Sequence, residues 1–415
     1  MEEHRQRYLM KIVLQYREHA SRVYYDAVFK IKRKIPANVG LDGHGSKLHT
    51  QLQRGSSRRM NARSYSSRIP QLDLLRGIAV LLVIGVHYPY IHILGRIGWI
   101  GVDLFFVLSG FLISGLLFAD WKRSGTIHLK RFFIRRGFKI YPSFYAFLIL
   151  ALPLVLFRYG RESIPRISAE ASFMQDYFRP AWGHTWSLGV EEKFYIALPF
   201  VLLALSQMWK HKEHRGFALI PLIAVVLLAG CLWARLVGPF NCFHSRADDL
   251  FCGVALGYWF HFHQDSFHAF SRWWLFPLFL ALLTPLFLFQ GGLLQSSILL
   301  TCNALAFSAL LVWILPRTWV RVPLLERIGF YSYSIYLWHY VAAKAASTFG
   351  VTALGLVSVV VFSCLVGIGM AKLIEVPALA LRDRLFPAVI EPHGHGVSVT
   401  ANAPSIGMYA PPRSS

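Results

Sequence analysis

The hydrophobic residues of this chain are gathered in blocks of about twenty, and this pattern limits the possible folds more than any other feature. An apolar helix of about 20 residues crosses the roughly 30 Å hydrocarbon core of a bilayer at about 1.5 Å per residue. Hydrophobic residues make up 55% of the 415 residues and charged residues only 15%, which is less charge than a soluble domain carries. The pattern predicts an all-α, polytopic integral membrane protein.

The length criterion predicts about ten transmembrane helices forming one bundle. They run approximately from Leu72 to His92, Trp99 to Ala119, Ile140 to Phe157, Ser187 to Met208, Phe217 to Val237, Leu250 to Phe262, Trp274 to Phe289, Leu294 to Leu315, Ser332 to Phe349 and Val351 to Ile374. The chain thus divides into a basic N-terminal extension (1–68), a membrane domain (69–386) and a tail rich in Pro, Gly and Ser (387–415), which is predicted to be disordered.

Positive charge lies between the apolar blocks and sets the predicted orientation. The formal net charge is +22, but a nucleic-acid-binding domain would collect its basic residues on one soluble face, so the predicted partner is the lipid bilayer. The N-terminal extension lacks the features of a signal peptide, and the basic loop from Lys122 to Lys139 falls on the same side of the membrane. We therefore predict a multi-pass protein of the plasma (inner) membrane with both termini cytoplasmic.

The N-terminal extension has three interpretations. It is a tethered tail, or it contains an interfacial helix around residues Tyr8 to Tyr16, or it is not translated because synthesis starts at Met60. The five cysteines form no C-x-x-C pair, and the histidines at 261, 263 and 268 lack a metal-binding pattern. No metal site is predicted.

Two ionisable residues lie within the first apolar block, where such residues are costly and usually line a cavity. Arg76 and His87 are eleven residues apart, so they share one helix face about 16 Å apart along the axis, and Asp73 lies one turn before Arg76. Arg76 would lie toward the cytoplasm and His87 toward the outer leaflet. Histidine is suited to remove a hydroxyl proton near neutral pH. Alternatively, Arg76 extends to the interface and His87 packs against a neighbouring helix.

Six further segments follow in order: GVDLFFVLSGFLISGLLF (101–118), RFFIRRGFKIYPSFY (131–145), HTWSLGVEEKFY (184–195), HSRADDLFCG (244–253), YSYSIYLWH (331–339) and IEVP (374–377). With the spacing of Arg76 and His87, they resemble the motifs of the acyltransferase-3 family, which includes O-antigen and Nod-factor acyltransferases. Together they cover roughly residues 69–385. The chain departs from the family pattern at Lys139, where arginine is usual, and at Lys193, where glutamine is usual.

The resemblance implies a set of site residues. His87, Arg76 and Glu191 are the predicted catalytic residues, with Glu191 orienting His87 or an arginine. The predicted substrate-binding residues are Asp73, Arg135, Arg136, Lys139, Ser109, Trp186, Arg246, Tyr333, Tyr336 and His339. Simpler interpretations are also open. Glu191 can stabilise a helix start, the basic cluster from Arg135 to Lys139 can anchor a helix, and Ser109 with Gly110 can serve helix packing.

The predicted function is that of an acyltransferase for groups other than aminoacyl groups. The resemblance implies that acyl-CoA, most often acetyl-CoA, docks from the cytoplasm and that the acyl group moves to a hydroxyl of a carbohydrate or cell-surface glycan. Acyl-CoA is then a substrate, and no bound cofactor is predicted. Direct transfer and transfer through an acylated His87 both fit. A transporter or flippase for lipid-linked or acylated sugars, which also needs buried charges, is the alternative. The sequence specifies neither the acceptor nor the oligomeric state.

Overall fold

A computed structural model of the chain describes residues 69–208, 215–285, 293–348 and 351–386. All regular structure in these ranges is helical. The predicted N-terminal extension and C-terminal tail lie outside the described residues, as does the end of the predicted span from Trp274 to Phe289.

The helices of the first part are α1 (Pro70–His87), α2 (His92–Ile97), α3 (Ile100–Ser124), α4 (Leu129–Tyr159), α5 (Ser163–Ala171), α6 (Trp186–Gln207) and α7 (Ile220–Val237). Further along are α8 (Phe243–Phe262), α9 (Gln264–Phe270), α10 (Leu275–Leu283), α11 (Leu293–Ile314), α12 (Pro323–Phe330), α13 (Ser332–Ser347), α14 (Ala353–Met370) and α15 (Val376–Leu385). Short 3₁₀ segments span Gly160–Glu162 and Arg215–Leu219, and a π-helical turn, Ala371–Glu375, joins α14 to α15.

Six helical segments among the described residues are long and apolar enough to cross a membrane. They are Pro70–His87, Ile100–Ser124, Leu129–Ala171, Arg215–Val237, Ser296–Ile314 and Ala353–Leu385. Of the other four predicted spans, α6 and α8 each contain three charged residues, α13 has 16 residues and α10 has 9. The described chain is therefore all-helical with several candidate spans, and the number of about ten stays a prediction.

Helix α3 lies in the interior and packs against α1, α6, α8 and α11. The closest approach is to α8, where a Cβ atom added to Gly110 would overlap the carbonyl oxygen of Leu250, and one added to Gly253 would overlap that of Val107. Helices in a bilayer gain little from hiding apolar surface from lipid, so close van der Waals contact of this kind holds them together. The predicted small-residue packing is thus confirmed at Gly110.

Helix α1 is held between α3 on one side and α12 and α13 on the other. Its Pro70 occupies the first turn, where the missing N–H costs nothing, and the helix ends at His87, two residues before Pro89. Because α13 packs against the same helix, its side chains meet those of α1 in the interior of the bundle. This arrangement brings together residues far apart in sequence.

Candidate active site

A first cavity contains the predicted arginine residues and is called the arginine cavity here. Its empty space, which includes space open to solvent, amounts to about 700 Å³. It is lined by Arg76, Val102, Phe105, Phe106, Ser109, Arg136, Lys139, Ile140, Phe173, Ser187, Leu188, Glu191, Glu192, Tyr195, Ser332, Tyr333 and Tyr336. Helices α1, α3, α4, α6 and α13 all contribute to its wall.

A second cavity contains His87 and is called the histidine cavity. It encloses about 1490 Å³, part of which is open to solvent. It is lined by Val83, Val86, His87, Arg96, Trp99, Val102, Asp103, His184, Trp186, Phe240, Asn241, Arg246, Ser296, Leu299, Leu300 and Tyr336. Arg76 and His87 therefore line different cavities, one toward each end of α1.

The two cavities adjoin at Val102 and Tyr336, which line both. The Tyr336 hydroxyl donates to the His184 carbonyl oxygen at 2.6 Å. That hydroxyl also lies 2.6 Å from the Ser187 hydroxyl, which must then be the donor of the second bond. Tyr336 is thus fixed by two hydrogen bonds at the boundary between the cavities.

The tautomer of His87 follows from the partners of its ring. Nδ1 of His87 lies 2.9 Å from the Val83 carbonyl oxygen and 3.1 Å from Nε2 of His339. His339 places its own Nδ1 2.6 Å from the Tyr336 carbonyl oxygen, so this Nδ1 carries the proton and Nε2 of the neutral His339 ring is an acceptor. Both partners of the His87 Nδ1 are therefore acceptors, which puts the proton on Nδ1 and leaves the lone pair of His87 on Nε2.

His184 completes a cluster of three imidazoles. Its ring centroid lies 6.4 Å from that of His87 and 5.1 Å from that of His339, and it stacks on Tyr340 at 4.9 Å. Its Nε2 donates to the Leu337 carbonyl oxygen at 3.2 Å. Burial lowers the pKa of His184 well below its usual range, and the neighbouring imidazoles lower it further. His184 is therefore a neutral side chain that lies beside His87 in the wall of the histidine cavity.

Glu191 lies in the arginine cavity and accepts a 2.5 Å hydrogen bond from the Ser109 hydroxyl. The Tyr195 hydroxyl donates to Ser109 at 3.3 Å, and the Arg136 guanidinium lies 3.9 Å from the centre of the Tyr195 ring. Glu191 and Arg136 thus line the same cavity, and Ser109 is the residue that donates to the Glu191 carboxylate. Among the described residues, the side chain that bonds to His87 is His339 rather than Glu191.

Cations and carboxylates are balanced around the arginine cavity. Lys139 forms an ion pair with Glu375 of the π-helical turn, and the other carboxylate oxygen of Glu375 accepts from Ser334 at 3.0 Å. The neighbouring Glu192 accepts a 2.5 Å hydrogen bond from the Tyr141 hydroxyl. The three cations Arg76, Arg136 and Lys139 thus stand beside the three carboxylates of Glu191, Glu192 and Glu375.

A buried ionic network forms one wall of the histidine cavity. Arg246 pairs with Asp103 of α3 and lies 3.0 Å from Asp249. The second oxygen of Asp103 accepts from the Asn303 amide at 2.7 Å, and behind it Arg235 pairs with Asp248 at 2.9 Å. Charges inside a membrane domain persist only when they are paired or functional, so this network fixes α3, α7, α8 and α11 relative to one another.

Most of the predicted site residues line a cavity, but three do not. Arg135 lines neither cavity and lies 3.5 Å from Asp383 of α15. Asp73 lines neither cavity and lies where α1 crosses Gly329. His339 lines neither cavity but contacts His87, which does line one.

Several residues at the site were missed by sequence reasoning. They are Asp103, His184, Glu192 and Tyr195, which line the cavities, and Glu375, which pairs with Lys139. A charge within the apolar segment GVDLFF was a usable signal for Asp103. His184 carried no such signal, because it precedes a helix in a loop.

The chain is similar to known proteins over most of its length. Residues 69–373 match an acyltransferase-domain family, the acyltransferase-3 family. The chain is 28% identical over 313 residues to the peptidoglycan O-acetyltransferase OatA of Listeria monocytogenes, an alignment that covers 66% of this chain and 49% of that protein. It is 30% identical over 316 residues to a Staphylococcus aureus protein provisionally named as an O-acetyltransferase, covering 66% and 50%.

A Bacillus subtilis protein provisionally named as a peptidoglycan O-acetyltransferase is 28% identical over 317 residues, covering 66% of this chain and 48% of that protein. The chain thus spans about half the length of these curated relatives. No solved structure matches it significantly. The matched range 69–373 contains every residue that lines the two cavities. The chain therefore belongs to the acyltransferase-3 family.

Proposed function

We propose that this protein is a membrane-bound O-acyltransferase that moves an acetyl group from acetyl-CoA to a hydroxyl group of a carbohydrate. The observation that carries the proposal is the fixed tautomer of His87, whose basic Nε2 belongs to a ring that lines the larger cavity. The relatives' names, which describe O-acetyltransferases, support acetyl as the transferred group.

The arginine cavity suits the pantetheine arm of the donor. Because its cations are matched by carboxylates, it offers little net charge to the phosphate groups of CoA, but its hydroxyl, carboxylate and guanidinium groups can bond to the amides of the arm. Lys130, Arg131 and Arg135 lie on the first turns of α4, outside this cavity. We place the phosphates on that basic surface, which the charge pattern assigns to the cytoplasmic side.

The histidine cavity suits the acceptor. Its wall combines the aromatic rings of Trp99, Trp186 and Phe240 with the polar side chains of Asn241 and Arg246. Polar groups at fixed positions on an apolar wall are typical of a site that selects a small polar ligand by its hydrogen bonds. Peptidoglycan, the substrate in the relatives' names, is the first acceptor to test.

The transfer itself is a proton-coupled displacement. The acceptor hydroxyl attacks the thioester carbonyl carbon while its proton passes to Nε2 of His87. The carbon–sulfur bond then breaks, and the imidazolium returns the proton to the leaving sulfur, so that CoA departs as a thiol. Holding donor and acceptor in adjoining cavities makes this step effectively intramolecular, which lowers its barrier.

The decisive experiment uses purified protein in detergent, acetyl-CoA labelled in the acetyl group, and soluble peptidoglycan fragments or N-acetylglucosamine oligomers as acceptors. We expect the label in an acceptor ester with wild-type protein and a loss of at least about 100-fold with His87→Gln. Wild-type protein that moves sugars across a vesicle membrane and forms no covalent product would show a transporter instead. Undiminished transfer by His87→Gln would refute the assigned mechanism.

A further inference from the structure

The boundary between the two cavities sets a constraint on the donor. Val102 and Tyr336 line both cavities. If the donor enters the arginine cavity and the base lies in the histidine cavity, the acyl end of the thioester must pass between these two side chains. This inference rests on the proposed function and concerns which acyl groups can pass.

The Tyr336 wall of this passage is fixed. Its hydroxyl is held at 2.6 Å by both the His184 carbonyl oxygen and the Ser187 hydroxyl, and its ring packs edge-to-face against Phe105 with centroids 6.1 Å apart. Tyr336 is 5% exposed. Moving the side chain to another χ1 rotamer would break two hydrogen bonds in the interior, where leaving polar groups unpaired costs free energy.

The Val102 wall is fixed through its two neighbours in sequence. A Cβ atom added to Gly101 would lie 2.5 Å from the Ala79 carbonyl oxygen, so the backbone of α3 sits directly against α1 at this point. Asp103, on the other side, is held by its ion pair with Arg246 and by Asn303 at 2.7 Å. The backbone at Val102 therefore has little freedom to retreat, and the size of its side chain sets the width of the passage.

We infer that Val102 determines the acyl-chain length that the enzyme transfers, admitting acetyl and rejecting longer chains. An acetyl group is small enough to pass the valine methyl groups. A longer acyl chain would clash with Val102 or Tyr336, because neither residue can move aside. One extra methylene against a rigid apolar wall changes selectivity by roughly 10-fold or more. Val102 is thus a specificity-determining residue of the proposed reaction.

The test measures kcat/KM for acetyl-, propionyl- and butyryl-CoA with one acceptor. We expect Val102→Ala to raise the butyryl-to-acetyl ratio by roughly 10-fold or more, and Val102→Leu to lower acetyl transfer by a similar factor. Val107→Ala is the matched control, because Val107 is a buried valine of the same helix that lines neither cavity. Its ratio should equal that of the wild type. Binding of radiolabelled CoA and gel filtration report whether each variant is folded.

The outcomes separate this inference from the proposed function. Wild-type protein that transfers no acyl group from any CoA thioester would overturn both. Normal acetyl transfer with an unchanged chain-length ratio in a folded Val102→Ala protein would overturn the role of Val102 alone. If the variants do not fold, the wild type still decides, because equal use of butyryl-CoA and acetyl-CoA is incompatible with a narrow passage.

Discussion

His339 and His87 form a hydrogen-bonded imidazole pair, with Nε2 of His339 3.1 Å from Nδ1 of His87. They lie 252 positions apart in the chain, on α13 and at the end of α1. His339 is fully buried and is itself oriented by the Tyr336 carbonyl oxygen. It occupies the place that a carboxylate takes beside the catalytic histidine of a Ser-His-Asp triad, because its Nε2 accepts a hydrogen bond from the protonated Nδ1 of His87.

We predict that His339→Leu lowers kcat by roughly 10- to 100-fold and leaves KM for acetyl-CoA unchanged. The loss is smaller than for a missing triad carboxylate, about 10⁴-fold, because Val83 also accepts from Nδ1 of His87. His339→Gln should recover part of the rate, since its amide oxygen can accept the same hydrogen bond. Equal losses in the two variants would indicate a packing role instead.

The sequence was sufficient to predict a helical membrane protein and one residue that lines each cavity. Apolar blocks are recognisable because the bilayer demands a fixed length, and an ionisable residue within such a block signals an interior position. For this reason Arg76 and His87 were identified, and both line cavities. The spacing of Arg76 and His87 predicted their separation along the helix axis, but it did not predict the boundary between the two cavities at Val102 and Tyr336.

The partners of these residues could not be predicted in the same way. Whether His339 or Glu191 meets His87 depends on how α6 and α13 rotate and slide against α1, and helical spacing within one segment does not determine that contact. Lys139 illustrates the same limit. Its charge suggested phosphate binding, whereas the structure pairs it with Glu375, which enters from the π-helical turn before α15.

A second prediction separates Arg135 from Arg136, which are adjacent in sequence but differ in position. Arg136 lines the arginine cavity and stacks on Tyr195, whereas the side chain of Arg135 is 32% exposed outside it. Arg136→Met should raise KM by roughly 10-fold for both acetyl-CoA and acetyl-pantetheine, because it removes a half-buried charge from the cavity in which we place the arm. Arg135→Gln should raise KM for acetyl-CoA only.

Salt provides the control for this pair. At physiological ionic strength, salt largely screens the interaction of exposed charges that are more than about 8 Å apart. Interactions of buried or partly buried charges are screened much less. The effect of Arg135→Gln should therefore shrink between low and high salt, whereas that of Arg136→Met persists. An Arg135→Gln effect of equal size on acetyl-pantetheine, which has no nucleotide, would contradict the placement of the phosphates.

A third prediction concerns Lys193, which stands where the family usually has glutamine. Its ammonium group donates to Asp176 at 2.5 Å and to the Phe173 carbonyl oxygen at 2.6 Å. Asp176 also accepts from the Phe243 backbone at 3.2 Å, so the pair of Lys193 and Asp176 connects α6 to the start of α8. Removing one partner leaves the other buried charge uncompensated, which costs about 3 kcal/mol.

Lys193→Met should accordingly reduce the free energy of unfolding by about 3 kcal/mol in a denaturant titration of the protein in detergent. Lys130→Met, at an exposed lysine on α4, should change it by less than about 0.5 kcal/mol. Replacing both Lys193 and Asp176, as Met and Asn, should cost less than the sum of the single changes, because the two side chains share one interaction. Additive losses would show that the ion pair contributes nothing.

The last prediction is the dependence of stability on pH through His184. Its pKa is lowered in the folded protein because the imidazole is buried beside two others, so below about pH 6.5 the unfolded chain takes up a proton that the folded chain does not. This contribution to stability is complete above about pH 6.5 and declines as the pH falls toward the folded pKa. It amounts to about 1.4 kcal/mol between pH 7.5 and pH 5.5.

His184→Gln has no titrating group at this position but can still donate to the Leu337 carbonyl oxygen. Unfolding measured at both pH values should therefore show a smaller acid destabilisation for His184→Gln than for the wild type, by about the same amount. Identical acid destabilisation of the two proteins would mean that folding does not lower the pKa of His184.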